Sequence, residues 1–273
     1  MKLTTPRRSG GHQAKKRFGQ HFLHERGVID KILAAIDPRP GERIVEIGPG
    51  LGALTVPLLE RCGRIDAVEL DRDVIPALTA ACAGKGELTV HHADALAFDF
   101  SALAAAGGGP LRVVGNLPYN VSTPLLFHLL AQRAAIRDMH FMLQKEVVER
   151  MAAAPGSDAY GRLTVMLAAY TRVEKLFRVG PGAFRPPPKV DSAVVRLVPY
   201  ATPPFPLPDP QRFAALVTAA FTKRRKTLRN AVKGLVDEDA MRAAGVDPQA
   251  RPETLAAADF AKLLDASSQP QRR

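Results

Sequence analysis

Cysteine is nearly absent from this chain. Cys62 and Cys82 are the only two in 273 residues, which supports neither a disulfide framework nor a cysteine zinc site. Both are expected to stay reduced, as in a cytoplasmic compartment. No apolar run reaches the length of a membrane span, and no basic amphipathic helix stands out as a surface anchor. No repeat at a solenoid period is visible. Acidic residues are missing altogether from residues 1–24. That segment lacks the apolar core of a secretory signal, although a mitochondrial transit peptide shares its composition. The functional-looking stretch from Lys15 leaves little room for a cleavable peptide, so a basic arm is expected over residues 1–22.

What the chain does have is positive charge. Its 38 basic and 27 acidic residues leave a net +11 and an isoelectric point near 10.0. Such an excess calls for a polyanion, and with membrane features lacking, nucleic acid is the partner it favours. Apolar residues at 46% and charged residues at 24% are ordinary for a globular protein. The length suits one large domain, or one large and one small.

Apolar runs and helical periodicity alternate through the first half. A helix is expected over residues 25–36, stopped by Asp37-Pro38, then a strand over Arg43–Ile47 and a glycine turn Gly48-Pro49-Gly50-Leu51-Gly52. A helix over Leu51–Leu59 follows the turn. Further strands are expected at Ile65–Leu70, Leu88–His91, Leu111–Val114 and Met139–Leu143, with helices at Asp73–Ala83 and Thr123–Gln132 between them. This rhythm implies right-handed crossovers and a mostly parallel α/β sheet of Rossmann type. Beyond Gln144 it changes: helices at Glu146–Met151 and Leu163–Tyr170, then a hairpin of Val173–Val179 with Ala193–Val198. Six prolines in residues 199–210 read as a linker. Helices are expected beyond it at Phe213–Phe221, Thr227–Val236, Asp239–Ala244 and Pro252–Leu264. The expected division is therefore the arm at 1–22, a Rossmann-like domain at 23–202 and a small all-helical domain at 203–273.

The strand ends carry the chemistry. In an open parallel sheet, ligands bind outside the carboxyl ends of the strands. The glycine turn after Glu46-Ile47 lets a ligand approach the backbone and precedes a helix with free N–H groups. Glu69 ends the next strand, where a carboxylate can accept both ribose hydroxyls, and Asp94 follows the third, placed to accept from an adenine amino group. Gly48-x-Gly50-x-x-Ala53 with Glu69 also meets the relaxed dinucleotide fingerprint. No catalytic His, Lys or Tyr set accompanies it, which disfavours an NAD oxidoreductase. After the Leu111 strand comes Asn116-Leu117-Pro118-Tyr119: a side-chain acceptor, a carbonyl held in a proline-restricted turn, and a flat ring. Two acceptors beside an aromatic face suit the exocyclic NH2 of a nucleobase.

These segments resemble the rRNA adenine dimethyltransferase family. They are joined by Lys16 to Leu23, Gln144 to Val148, Tyr160 to Leu163, Phe184 to Ser192 and Arg224 to Asn230, so that the resemblance spans about residues 15–235. Singly several are weak; in this order and spacing they are specific. The resemblance implies S-adenosylmethionine (SAM) as cofactor. It places Gln20, His21 and Leu23 at its border, Gly48 and Gly50 against its methionine part, Glu69 on ribose and Asp94 on adenine, with Asn116 shared between cofactor and catalysis. His21 departs mildly from relatives that have Asn there, which a backbone contact would survive. The resemblance further implies catalysis by Asn116, Leu117, Pro118 and Tyr119, with Phe184 on the opposite face of the adenine.

The implied reaction is dimethylation of N6 on two adjacent adenosines near the 3′ end of small-subunit rRNA, tied to small-subunit biogenesis. The implied enzyme is a cytoplasmic monomer, using no metal or membrane, that acts within a pre-ribosomal small subunit. Lys223, Arg224, Arg225, Lys226 and Arg229 form the expected basic helical face for RNA phosphate. Two alternatives stay open: a large-subunit rRNA adenine methylase conferring antibiotic resistance, and a mainly non-catalytic SAM- and RNA-binding assembly factor.

Overall fold

A computed structural model describes residues 20–207, 209–222 and 226–268. The expected arm therefore falls largely outside the described residues. Its end forms a two-residue strand, β1 (Phe22–Leu23), which leads into α1 (Arg26–Ile36). The Rossmann alternation follows as β2 (Ile44–Ile47), α2 (Thr55–Cys62), β3 (Arg64–Glu69), α3 (Ile75–Cys82) and β4 (Glu87–His92). Next come α4 (Phe100–Ala106), β5 (Leu111–Asn116), α5 (Ser122–Ala131) and β6 (Ile136–Gln144). Helices α6 (Lys145–Met151) and α7 (Arg162–Tyr170) precede β7 (Thr171–Val179), the short β8 (Phe184–Arg185) and β9 (Ser192–Pro199). The chain ends in α8 (Pro210–Thr222), α9 (Leu228–Ala231), α10 (Glu238–Ala243) and α11 (Ala257–Ser268).

The seven-stranded sheet has the order β4-β3-β2-β5-β6-β9-β7, and pairing from β4 to β6 is parallel. The expected hairpin is present: β7 pairs antiparallel with β9, which returns beside β6. From β2 the chain runs outward through β3 and β4, then crosses back to β5 on the other side. The crevice between β2 and β5 is thus the switch point, where an open α/β sheet receives its ligand. Alternate residues of β2 serve opposite faces. Val45 and Ile47 join the core under α5 and α7, whereas Ile44 joins the core under α1, α2 and α3.

Three expected elements differ. Helix α2 starts at Thr55 rather than Leu51, because Gly50 and Gly52 hold positive φ and carry the chain through turns first. Only α9 forms within residues 227–236, where Gly234 at φ 86° breaks the helix. Residues Pro252–Thr254 form a 3-10 turn, and α11 begins only at Ala257, with Asp259 accepting from the Ala256 N–H at 3.0 Å. Helix α4 was not expected, although Asp99 caps it by accepting from Ala102 N–H at 2.8 Å.

The C-terminal helices do not hang free. Phe213, Leu216, Phe260 and Leu263 share one core with Leu163 and Leu167 of α7. Tyr160 Oη donates to the Leu255 carbonyl at 2.7 Å across the seam. At the end of the sheet away from the glycine turn, the buried Arg112 guanidinium bonds Asp138 at 3.0 Å, Glu42 at 2.6 Å and the Ile36 carbonyl at 2.6 Å. Burial alone would raise the Asp138 carboxyl, but His140 and Arg112 outweigh it and hold it at about 2. These contacts anchor the end of α1 to the sheet.

Candidate active site

A cavity of about 890 Å³ opens at the carboxyl ends of β2, β3 and β5. Its floor is the glycine turn, held by two links. Gly48 N–H donates to the Val68 carbonyl at 2.9 Å, and Gly50 N–H donates to Glu69 Oε2 at 3.2 Å. Gly50 has φ 54°, a conformation that side-chain-bearing residues rarely adopt, and a methyl there would crowd the Phe22 ring at 3.1 Å. Glu69 is buried, and its other oxygen accepts from Asp71 N–H at 2.8 Å. Burial raises its pKa, while the Asp71 and Gly50 N–H groups pull the other way. Asp94 stands exposed at the far wall; Oδ1 accepts from Leu96 N–H at 2.9 Å.

Gln20, His21 and Leu23 border the same cavity from β1 and the residues before it. Gln20 Nε2 donates to Asp71 Oδ2 at 2.9 Å, tying this segment to the end of β3. His21 is tied twice: its carbonyl accepts from Asn116 Nδ2 at 2.9 Å, and its Nδ1 donates to the Pro186 carbonyl at 2.7 Å. The first bond has a chemical consequence. With Nδ2 engaged, Asn116 presents Oδ1 as its acceptor. Leu117 N–H donates to the Met142 carbonyl at 3.1 Å, which pins the turn to β6. Gly115 is obligatory here, since a Cβ would lie 2.5 Å from the Ile47 carbonyl oxygen in the neighbouring strand. Tyr119 Oη shares a hydrogen bond with Ser192 Oγ at 2.7 Å, and burial raises its pKa against the lowering effect of that bond. The phenol is therefore neutral and orients the ring rather than acting as a base.

Glu46 adds a feature with no counterpart in the sequence reading. It is fully buried beneath the cavity, and its Oε2 has no hydrogen-bond partner; the neighbouring Thr55 Oγ1 also has none. Burial pushes the Glu46 pKa to about 7, and the Glu69 charge adds to the rise. Burial, and after it the Glu46 charge, raises the pKa of the Cys82 thiol on α3. Because the folded pKa of Glu46 exceeds the ordinary 4.5, this group's stabilising proton is fully present below pH 4.5. It is lost as pH rises through about 7. Glu46→Gln is expected to raise stability at pH 8 by about 1–2 kcal/mol, several degrees in Tm, and to change little at pH 5. Thermal melts at the two pH values check this; an equal shift at both would remove the carboxyl's titration as the cause.

Two sequence expectations stay open. Phe184 is not in the cavity: it is 2% exposed, pairs opposite Leu23 and packs in the core beneath α1. The strand pairing of β1 with β8 turns Phe184 inward and sets Arg185 outward. The ring lying against Tyr119 is His21, with centroids 5.6 Å apart and planes at 27°. Of the expected RNA contacts, Lys223, Arg224 and Arg225 lie outside the described residues. Lys226 is exposed ahead of α9, and Arg229 pairs with Glu238 at 3.2 Å. Ser192 and Asp71 support the cavity residues Tyr119 and Gln20 through hydrogen bonds that span long stretches of chain, which spacing does not reveal.

Residues 11–269 match the ribosomal RNA adenine dimethylase family. The chain belongs to that family. It is 58% identical over 258 residues to "Ribosomal RNA small subunit methyltransferase A" of Pseudomonas syringae pv. syringae (strain B728a), covering 94% of this chain and 96% of that one. The protein of the same name from Marinobacter nauticus (strain ATCC 700491 / DSM 11845 / VT8) is 54% identical, covering 93% and 92%. Among solved structures, a dimethyladenosine transferase from Plasmodium falciparum superposes with a TM-score of 0.76 at 28% identity, covering 89% of this chain and 96% of that one. The 23S rRNA methyltransferase ErmE gives 0.71 at 26% identity, covering 91% and 100%.

As a member of the rRNA adenine dimethylase family, this protein is a methyltransferase that uses SAM. The site suits that cofactor. The glycine turn leaves backbone-width space, Glu69 and Asp94 offer acceptors at one end, and the buried Glu46 leaves an unpartnered oxygen beneath the cavity. When bound, SAM supplies a methyl activated by its sulfonium. Among the described residues no cluster of side chains could hold a metal ion, and no helix is long and apolar enough to cross a membrane.

Proposed function

We propose that this dimethylase methylates N6 of two adjacent adenosines near the 3′ end of small-subunit rRNA, within a pre-ribosomal small subunit. The observation that carries the chemical part is the Asn116–His21 bond, which fixes Oδ1 as an acceptor beside the Leu117 carbonyl at a strand end. The N6 lone pair is delocalised into the adenine ring. Acceptors for its two hydrogens favour a pyramidal amine, and those bonds strengthen as charge develops in the transition state. Tyr119, held by Ser192, gives the extruded base a flat surface, as base-modifying enzymes need. The rest is alignment of amine and methyl. Gln20, His21, Leu23, Gly48, Gly50, Glu69 and Asp94 would enclose the cofactor.

The small-subunit assignment is supported by the names of relatives at 54–58% identity, against 26% for ErmE, whose title names 23S rRNA. We take the enzyme to work as a cytoplasmic monomer, with the helical part at 203–273 reaching RNA. Labelled SAM offered with unmethylated small subunits, large subunits, naked rRNA or DNA tests the substrate. Label entering large subunits but not small ones would overturn this assignment.

The basic cluster makes a separate claim. Replacing Arg224, Arg225 and Lys226 with Glu is expected to weaken RNA association at least tenfold at moderate salt. It should also flatten the salt dependence by about 0.9 in log–log slope per lost phosphate contact. SAM affinity is expected to stay near wild type. Unaltered RNA affinity and slope would make the cluster a solvated face.

A further inference from the structure

We infer that Arg185 is a phosphate-binding residue at the cavity mouth, holding the RNA backbone beside the adenosine that enters the site. Among the described residues it is the only arginine or lysine that lines the cavity, whose other charged walls are the carboxylates Glu46, Glu69 and Asp94. It is exposed and pairs with no carboxylate among the described residues, whereas Arg178 on nearby β7 is neutralised by Asp191. The acid-free segment before Glu25 has no countercharge to give it. An uncompensated guanidinium at the rim of an otherwise acidic cavity is a fork awaiting an anion.

The backbone that carries it is fixed on both sides. Arg185 lies opposite Phe22 in the β1–β8 pair, His24 N–H donates to the Ala183 carbonyl at 3.0 Å, and His21 Nδ1 holds the Pro186 carbonyl at 2.7 Å. The same His21 accepts from Asn116 through its own carbonyl. Two hydrogen bonds through one residue therefore join the segment bearing Arg185 to the acceptor for N6. A nucleotide gripped by its phosphate at Arg185 is held at a set distance from Asn116. That geometry puts the phosphate contact beside the site, where it adds to substrate affinity and register.

Two anions have access to this mouth: a phosphodiester arriving from solvent, and the carboxylate of the cofactor. Exposure favours the first. Arg185 stands in solvent, while its strand partner Phe22 is the residue that packs against Gly50 of the glycine turn. This inference rests on RNA adenosine being the substrate. Its failure is separable, because wild type that methylates no RNA defeats the function itself, whereas an unaffected variant defeats only Arg185.

The test uses full-length protein and unmethylated small subunits. Arg185→Ala is expected to raise KM for the subunit about tenfold with kcat within about threefold, the pattern of lost substrate binding. The log–log salt slope of RNA association should fall by about 0.9, one phosphate contact. Arg185→Lys keeps the charge and is expected to restore the slope while recovering only part of KM. SAM affinity by calorimetry should be unchanged in both. Wild-type KM and slope in a folded Arg185→Ala protein would overturn the inference. Weakened SAM binding with an unchanged slope would overturn it too, assigning the guanidinium to the cofactor carboxylate.

Discussion

Asn116→Ala is expected to lower single-turnover methyl transfer about 100-fold, the usual cost of deleting one preorganised transition-state hydrogen bond. RNA affinity should be retained, because the contact is with N6 and not with phosphate. Asn116→Asp separates the two jobs of this side chain. Considered from the sequence, Asp should keep more activity than Ala, since a carboxylate accepts the same bond. The structure reverses that expectation. Nδ2 donates to the His21 carbonyl at 2.9 Å, and Asp would set an oxygen against an oxygen there. Asp is therefore expected to be no more active than Ala, with the His21 segment loosened and SAM binding weakened as well. Rapid-quench transfer and SAM calorimetry on the same samples check both. A purely structural Asn116 would instead show lowered Tm in Ala, with activity recovering on cooling.

Glu69→Ala is expected to weaken SAM binding by about 1.5–3 kcal/mol, roughly 10- to 150-fold, through loss of a charge-assisted ribose contact. The same carboxylate accepts from Gly50 and Asp71 N–H groups, so the glycine turn and the start of the next loop also lose their shared anchor. Glu69→Gln distinguishes these effects. Its one amide oxygen can satisfy only one side of the arrangement, so affinity should fall between wild type and Ala. Calorimetry on folded protein reads this. Wild-type SAM affinity in Glu69→Ala would remove the residue from the site.

Much of the fold is legible in the sequence. The β-strands announced themselves as short apolar runs, and Glu46 to Gly52, Glu69, Asp94 and Asn116 to Tyr119 fell on successive strand ends because topology places them there. What stayed hidden depends on long-range pairing. Phe184 in a proline-rich loop reads as a stacking ring ahead of a core plug, and spacing does not reveal its register opposite Leu23 or its place in the core. Ser192 orients Tyr119 across 73 positions of chain, so spacing cannot reveal it. Helix α4 was missed because seven small or apolar residues leave little periodicity, although Asp99 marked its start.

The central claim is that a fixed acceptor at Asn116 delivers N6 of an RNA adenosine to the methyl donor. The direct measurement is nucleoside mass spectrometry, after limited turnover, of rRNA digested from unmethylated small subunits treated with wild type and with Asn116→Ala. The account predicts N6-methyl- and then N6,N6-dimethyladenosine from wild type, falling about 100-fold in the variant at saturating SAM. Methyl found on a ring nitrogen, a ribose oxygen or a pyrimidine, or equal N6 methylation by folded Asn116→Ala, would contradict it.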